Sequence, residues 1–210
     1  MIVEEKNALL IIDVQNDFCP GGRLAVTDGD KVVPSINQIM RRFYKVIATQ
    51  DWHPDNHVSF ARNHSGTKAY DVIDVGGIRQ VLWPVHCVAG TKGAEFHPEL
   101  NMNSFHLIVR KGTNPNIDSY SAFAENDKKT ITGLEGFLKG LDIKQVYVCG
   151  LATDYCVLYS AMDARISGFE TFIIVDACRG IDEPKGNLEK ALNIIKDKGI
   201  KIINSTELYP

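Results

Sequence analysis

Short apolar runs recur along the chain, with room for one helix between most of them. Six runs rich in Ile and Val predict buried strands, at residues 8–12, 46–48, 105–109, 146–149, 172–175 and 200–203. Strands that alternate with helices are typical of a parallel sheet covered on both faces. The pattern therefore predicts an α/β fold, a three-layer α-β-α sandwich around a mainly parallel six-stranded sheet.

Four segments between these runs carry apolar side chains at helical spacing, within residues 32–43, 134–141, 157–164 and 184–199. The second segment opens with Thr132-x-x-Glu135, the pattern of a capping box. The fourth has Pro184 just inside its predicted start and Gly199 just past its end, which is the usual placement of these two residues around a helix.

The region from about residue 51 to residue 100 shows no clear periodicity. Loops longer than about 15 residues in a compact domain usually carry function or are disordered, and the Trp, His and Pro content here argues against disorder. We therefore expect one domain over residues 1–210 with a functional insertion at about 51–100.

Charge and composition narrow the class of protein. The 210 residues include 23 Lys and Arg against 26 Asp and Glu, and this balance does not favour nucleic acid as a partner. No apolar stretch approaches the roughly 18 residues of a membrane span, and the N-terminal run lacks a basic segment before it. The five cysteines form no CxxC pair, which favours a reducing compartment. We expect a cytoplasmic protein that binds neither nucleic acid nor membrane.

Polar residues that close the apolar runs are the first candidates for a site, because ligands of open parallel sheets bind beyond the carboxyl ends of the strands. Asp13 ends the first run, Lys111 ends the run at 105–109, and Cys156 follows the run at 146–149. Cys156 is expected in the first turn of a helix, where backbone N–H groups stabilise a thiolate. A nearby ammonium would stabilise it further.

A second group of residues has the character of a metal site. Asp51 and His53 lie two apart directly after a strand and can share one ion, and His86 lies further along the chain. Two imidazoles and one carboxylate suit Zn²⁺, Fe²⁺ or Mn²⁺ better than Ca²⁺, and they leave coordination positions open. We expect one divalent ion, with Zn²⁺ as the first choice.

Taken together, these motifs resemble the nicotinamidase/pyrazinamidase family of the isochorismatase-like cysteine hydrolases. The matching segments occur in the family's order at residues 11–26, 49–61, 82–100, 110–123, 148–164 and 176–180. The Asp51-x-His53 motif is the discriminating part, since other isochorismatase-like amidases resemble only the Asp, Lys and Cys pattern. Residues 62–81 are the least typical of the family, so the shape of the lid over the site is not predicted.

The resemblance implies a role for each matching residue. It implies a catalytic triad and a metal site, formed by Asp13, Lys111 and Cys156 and by Asp51, His53 and His86. It places a cis peptide bond between Leu151 and Ala152 and an oxyanion hole at the N–H groups of Ala152 and Cys156. Three aromatic residues, Phe18, Trp83 and Tyr120, would wall the pocket around a flat substrate ring. His57 occupies a position that is a ligand only in some relatives, so we expect it beside the ligands.

The implied reaction is hydrolysis of nicotinamide to nicotinate and ammonia through a cysteine thioester, in NAD salvage, with pyrazinamide as an additional substrate. Other interpretations remain open. The protein could be another isochorismatase-like amidase, or a hydrolase in which a metal-bound hydroxide attacks the amide directly and Cys156 is a bystander. It could also be a binding protein that keeps the pocket without catalysis. A nicotinamide-dinucleotide oxidoreductase is disfavoured because no GxGxxG follows the first strand. No motif distinguishes a monomer from a homo-oligomer.

Overall fold

Six parallel strands form the central sheet of the protein, whose computed structural model describes residues 3–209. Within these residues the strands and α-helices are, in chain order, β1 (Asn7–Ile12), α1 (Val32–Met40), β2 (Lys45–Asp51), β3 (Val72–Val75), β4 (Ile78–Val81), β5 (Leu107–Lys111), α2 (Leu134–Gly140), β6 (Gln145–Leu151), α3 (Leu158–Ile166), β7 (Glu170–Arg179), α4 (Asn187–Asp197) and β8 (Lys201–Ile203). Residues 1, 2 and 210 of the expected domain lie outside this description.

The strand order is β5-β2-β1-β6-β7-β8, and each neighbouring pair is parallel. The apolar runs predict this sheet correctly because its central strands are covered on both faces; β1 is buried at every position. The structure thus confirms the α/β prediction, and β5 and β8 are the two edges of the sheet.

The direction of winding reverses at β1, since β2 lies on one side of it and β6 on the other. Parallel crossovers are almost always right-handed, so α1 after β1 and α3 after β6 cover opposite faces of the sheet. A crevice opens at the carboxyl ends of the strands at such a switch point. Asp13, the residue that follows β1, is therefore placed at the usual ligand-binding position of this architecture.

Two helix starts differ from the sequence prediction. The Thr132–Glu135 capping box does not form, because the Thr132 N–H donates to the Phe123 carbonyl and the Glu135 carboxylate accepts from Lys139 and Ser167. Pro184 does not begin the fourth helix, which starts at Asn187. The N–H groups of Gly186 and Leu188 donate instead to Asp182 Oδ1, so the preceding segment is a loop.

The weakly patterned region at 51–100 contains an antiparallel hairpin of β3 and β4. Its turn consists of Gly76 and Gly77, whose positive φ angles of 59° and 85° favour glycine. Gln80 is the one buried residue of the two strands; the others are half-buried or exposed. Across residues 3–209, no helix combines the length and the apolar character that crossing a membrane requires.

Candidate functional site

The three strand-end residues singled out in the sequence meet in one place. Asp13 follows β1, Lys111 is the last residue of β5, and Cys156 lies in the turn between β6 and α3. Lys111 Nζ lies 2.8 Å from Asp13 Oδ2 and 3.4 Å from Cys156 Sγ. Asp13 Oδ1 accepts the hydroxyl hydrogen of Thr49 at 2.6 Å, which fixes the orientation of the carboxylate.

Lys111 also joins this group to the predicted metal ligands. Its Nζ lies 2.5 Å from Asp51 Oδ1 and donates to the Ser119 carbonyl at 3.0 Å. The donor atoms of Asp13, Asp51 and Cys156 are close enough together to hold a cation, but the ammonium already lies beside all three of them. Lys111 is therefore the cation of this half of the site.

Burial and charge shift the pKa of each of these groups. Burial acts to lower the pKa of Lys111, but Asp13 and Asp51 outweigh it and raise that pKa well above its usual value. Burial raises the pKa of Asp13, against the effect of Lys111. Burial also raises the pKa of the Cys156 thiol well above its usual value, with Lys111 acting in the opposite direction. A carboxylate beside a thiol can act as its base, and Asp13 and Asp51 each offer an oxygen within 4.8 Å of Cys156 Sγ.

The three predicted metal ligands form a compact group next to Lys111. Asp51 Oδ2 lies 3.4 Å from His53 Nε2 and 3.9 Å from His86 Nε2, and all three residues are buried. The two oxygens of Asp51 are thus divided, because Oδ1 faces the ammonium while Oδ2 faces the imidazoles.

Hydrogen bonds on the far side of each imidazole set its protonation for metal binding. His53 Nδ1 lies 2.9 Å from the Gly112 carbonyl and His86 Nδ1 lies 2.8 Å from the Pro84 carbonyl. A carbonyl oxygen can only accept, so each Nδ1 carries a hydrogen, and Nε2 on the Asp51 side is the nitrogen left to bind a metal. Burial acts to lower the pKa of His53, but Asp51 outweighs it and raises that pKa, so a metal ion at this nitrogen would compete with a proton. Burial lowers the pKa of His86 to about 4, which keeps that ring neutral. The donor set therefore fits a divalent metal ion such as zinc.

Backbone pairing rather than the sheet brings His53 and His86 together. The His53 N–H donates to the Cys87 carbonyl at 3.0 Å, and the Ala89 N–H donates to the His53 carbonyl at 2.8 Å. Gly112 makes room for the imidazole of His53, since a Cβ at this position would lie 2.3 Å from His53 Cε1. The packing of His53, one of the three predicted metal ligands (together called the metal group), thus requires a glycine directly after Lys111.

His57 lies beside the ligands. Its ring packs on that of His53 with 4.2 Å between the centroids. The Ser59 N–H and hydroxyl lie 3.3 and 2.7 Å from His57 Nδ1, and His57 Nε2 lies 3.2 Å from the Ile117 carbonyl. Both ring nitrogens have hydrogen-bond partners within the chain, and His57, His53 and Asp118 also offer donor atoms within 4.8 Å of one another.

Aromatic side chains surround the cavity in front of Cys156. Phe18, Trp83 and Tyr120 line it as predicted, and Trp83 Nε1 donates to the Tyr120 hydroxyl at 3.1 Å. Asp51, His86, Ala152 and Cys156 line the same cavity, so the cysteine and the metal group open onto one space. The peptide bond between Leu151 and Ala152 is cis, as the resemblance implies.

Sequence reasoning missed several residues of this cavity. Tyr155 packs edge-to-face on Trp83 with 4.7 Å between the centroids, and Ile181 belongs to the loop before α4. Asp118 and Ser119 line the cavity from the segment after β5. Ser119 and Tyr155 could have been found, because they are next to the motif residues Tyr120 and Cys156 in the chain. The sequence contains no signal that points to Ile181.

The fold and this arrangement define a family. Residues 7–207 match the Isochorismatase domain family. The chain belongs to that family, as the resemblance of its motifs implies.

Individual relatives narrow the comparison. A nicotinamidase from Acinetobacter baylyi is 48% identical over 201 residues, which cover 96% of this chain and 94% of that protein. A solved structure of a nicotinamidase/pyrazinamidase from Acinetobacter baumanii has a TM-score of 0.96 at 51% identity and covers 98% of this chain and 99% of its own. A pyrazinamidase from Pyrococcus horikoshii, solved in complex with zinc, has a TM-score of 0.77 at 39% identity and covers 95% of this chain and 99% of its own. This chain is thus similar to nicotinamidases and pyrazinamidases over nearly its whole length.

Proposed function

We propose that this protein is a nicotinamidase, which hydrolyses nicotinamide to nicotinate and ammonia, and that it also deamidates pyrazinamide. One observation carries the proposal: Lys111 Nζ contacts Asp13, Asp51 and Cys156 together. The proposed cysteine nucleophile and the proposed metal ligands therefore lie side by side, and they open onto one cavity. Similarity to the Acinetobacter nicotinamidases over nearly the whole chain supports the same substrate.

Cys156 is the proposed nucleophile. Asp13 takes the proton of the thiol while Sγ forms a bond to the amide carbon, and Lys111 holds the carboxylate and the sulfur in place. The N–H groups of Ala152 and Cys156 are the proposed oxyanion hole, where each such donor contributes about 3 kcal/mol in comparable sites. Asp13 then returns the proton to the departing nitrogen, so that ammonia leaves and a thioester remains.

Water completes the reaction. It attacks the thioester carbon and gives a proton to Asp13, the carbon–sulfur bond breaks, and the proton passes to Sγ. The carboxylic acid is released, and the free thiol and the carboxylate of Asp13 are restored. Phe18, Trp83 and Tyr120 hold the flat ring so that its carboxamide faces Sγ.

Asp51, His53 and His86 are the proposed metal ligands. When bound, a divalent ion would supply a Lewis-acidic centre that orients the pyridine nitrogen of the substrate. Zn²⁺ fits two neutral imidazoles and one carboxylate, and the zinc complex of the Pyrococcus pyrazinamidase supports it; Fe²⁺ and Mn²⁺ are the alternatives. Gly112 and Pro84 hold the imidazoles in the required tautomers.

The remaining parts of the proposal concern organisation and setting. Residues 1–210 act as one domain in which the segment at about 51–100 supplies metal ligands and a lid. All five cysteines, each within the described residues, are free thiols, which supports a reducing, cytoplasmic location. Nicotinate produced there would enter NAD salvage.

Ammonia release from four amides tests the proposal. The substrates are nicotinamide, pyrazinamide, a simple aliphatic amide and an N-carbamoyl compound, each assayed before and after removal of metal by a chelator. We expect turnover of the two heteroaromatic carboxamides, its loss on chelation and its return with added zinc. Turnover of the N-carbamoyl compound alone would assign the protein to another branch of the superfamily.

A further inference from the structure

Asp118 is a buried carboxylate that the mechanism above does not use. It lies in the segment after β5, is 3% exposed, and lines the same cavity as Asp51 and His86. One of its oxygens lies within 4.8 Å of the ring nitrogens that His53 and His57 offer. Its position in the sequence indicates no role.

The hydrogen-bond partners of Asp118 are neutral. Oδ1 accepts the Ser119 N–H at 2.8 Å, and Oδ2 accepts from Gln80 Nε2 at 2.7 Å. Among residues 3–209, no lysine or arginine forms an ion pair with Asp118. A buried carboxylate without a cation is unfavourable, so a positive charge bound beside Asp118 would be stabilised by it.

The charges around the cavity indicate what carries that positive charge. Three carboxylates of the site are buried: those of Asp13 and Asp51 contact the ammonium of Lys111, whereas that of Asp118, among the described residues, forms no ion pair with it. With the imidazoles neutral, as metal ligation requires, the group has an excess of two negative charges. Burial raises the pKa of nearby Glu125 to about 7, so that side chain adds only part of a further negative charge. One divalent cation balances the excess.

We propose that Asp118 is a positioning residue of the metal centre, whose charge, oriented by Gln80, strengthens binding of a divalent cation at Asp51, His53 and His86. The inference rests on the metal site of the proposed function. Gln80 belongs to the hairpin of β3 and β4 and is the buried residue of its strands, so the same hydrogen bond ties that hairpin to the metal centre.

The test measures the dissociation constant of zinc for the full-length, metal-stripped protein by competition with a chromophoric chelator. In Asp118→Asn the side chain keeps its size and still accepts the Ser119 N–H, but it loses the charge. We expect zinc to bind about ten- to a hundredfold more weakly than in the wild type, the range seen when groups behind metal ligands are changed. Asp74→Asn is the matched control, because Asp74 is exposed, lies in β3 and also accepts one backbone N–H.

A second variant keeps the inference testable if Asp118→Asn fails to fold. Gln80→Ala leaves the charge in place and removes only the hydrogen bond that orients it, so we expect zinc affinity to fall by about three- to tenfold. His53→Ala, which removes a ligand, separates this inference from the proposed function. If His53→Ala loses zinc while both other variants bind it as tightly as the wild type, Asp118 has no such role and the metal site stands. If the wild type itself binds no zinc, the metal site and this inference both fail.

Discussion

The cysteine side of the cavity and its metal side use different parts of the fold. Asp13, Lys111 and Cys156 each lie at or just beyond the carboxyl end of a strand of the parallel sheet, so sheet register fixes their spacing. On the metal side only Asp51 belongs to the sheet. His53 and His86 lie in irregular chain, where two backbone hydrogen bonds and two carbonyl groups fix them.

The comparison shows two ways in which side chains are positioned within one site. The sheet places the proposed nucleophile, the proposed base and a cation through the regular spacing of strands about 4.7–4.9 Å apart. Irregular chain can instead aim imidazole nitrogens at a common point, because each ring is oriented individually by a carbonyl. Lys111 is the side chain that contacts both parts, and the predictions below separate them.

Loss of the nucleophile should affect the cysteine side alone. We expect Cys156→Ala to lower kcat by at least about a thousandfold, because Sγ is the atom that forms the proposed acyl intermediate. Zinc content, measured by atomic emission, should equal that of the wild type. Cys19→Ala is the matched control, since Cys19 does not line the cavity and we expect no loss of activity. If Cys156→Ala retained a tenth of wild-type activity, covalent catalysis would be refuted.

Loss of the shared cation should affect both sides and the stability of the fold. Lys111→Met leaves Asp13 and Asp51 buried without their ammonium, and breaking a buried pair in this way costs about 3–5 kcal/mol. We expect the free energy of unfolding in urea to fall by about that amount when metal is absent. Lys139→Met removes an exposed lysine that pairs with Glu135 and should cost no more than about 0.5 kcal/mol. Equal stability of the two variants would show that Lys111 is not required to compensate the two carboxylates.

Loss of the packing neighbour should change the metal side only slightly. Contacts between aromatic rings contribute about 0.5–1.5 kcal/mol, so His57→Gln should weaken zinc binding by no more than about tenfold. His53→Ala should abolish it under the same conditions. Isothermal titration calorimetry on metal-stripped protein measures both. A loss of zinc binding in His57→Gln as complete as in His53→Ala would make His57 a ligand.

The sequence predicted the sheet because buried parallel strands consist of apolar runs, but it underestimated the strands at their polar ends. β2 extends through Gln50 to Asp51, since these residues continue the pairing with Arg110 and Lys111 of β5. The hairpin was missed because its strands are largely exposed and its one buried residue is polar. Helix starts were misplaced where hydrogen bonds from distant residues, such as the Phe123 carbonyl, occupy the capping groups.

The predicted site residues converge because several of them follow strands that end at the same edge. Asp118 was not predictable in this way, since its importance depends on Gln80, 38 residues away in the chain. The division of Asp51 between an ammonium and two imidazoles also requires the folded structure, because spacing alone does not show which oxygen faces which partner.

Lys111 and Gly112 are consecutive residues. The ammonium of Lys111 reaches Cys156 Sγ, and the carbonyl of Gly112 holds the imidazole of His53. A protein engineer who wished to exchange the metal or reshape the substrate pocket would have to leave this dipeptide unchanged. Redesign has more freedom at the exposed residues of the hairpin than at this dipeptide or at Gln80.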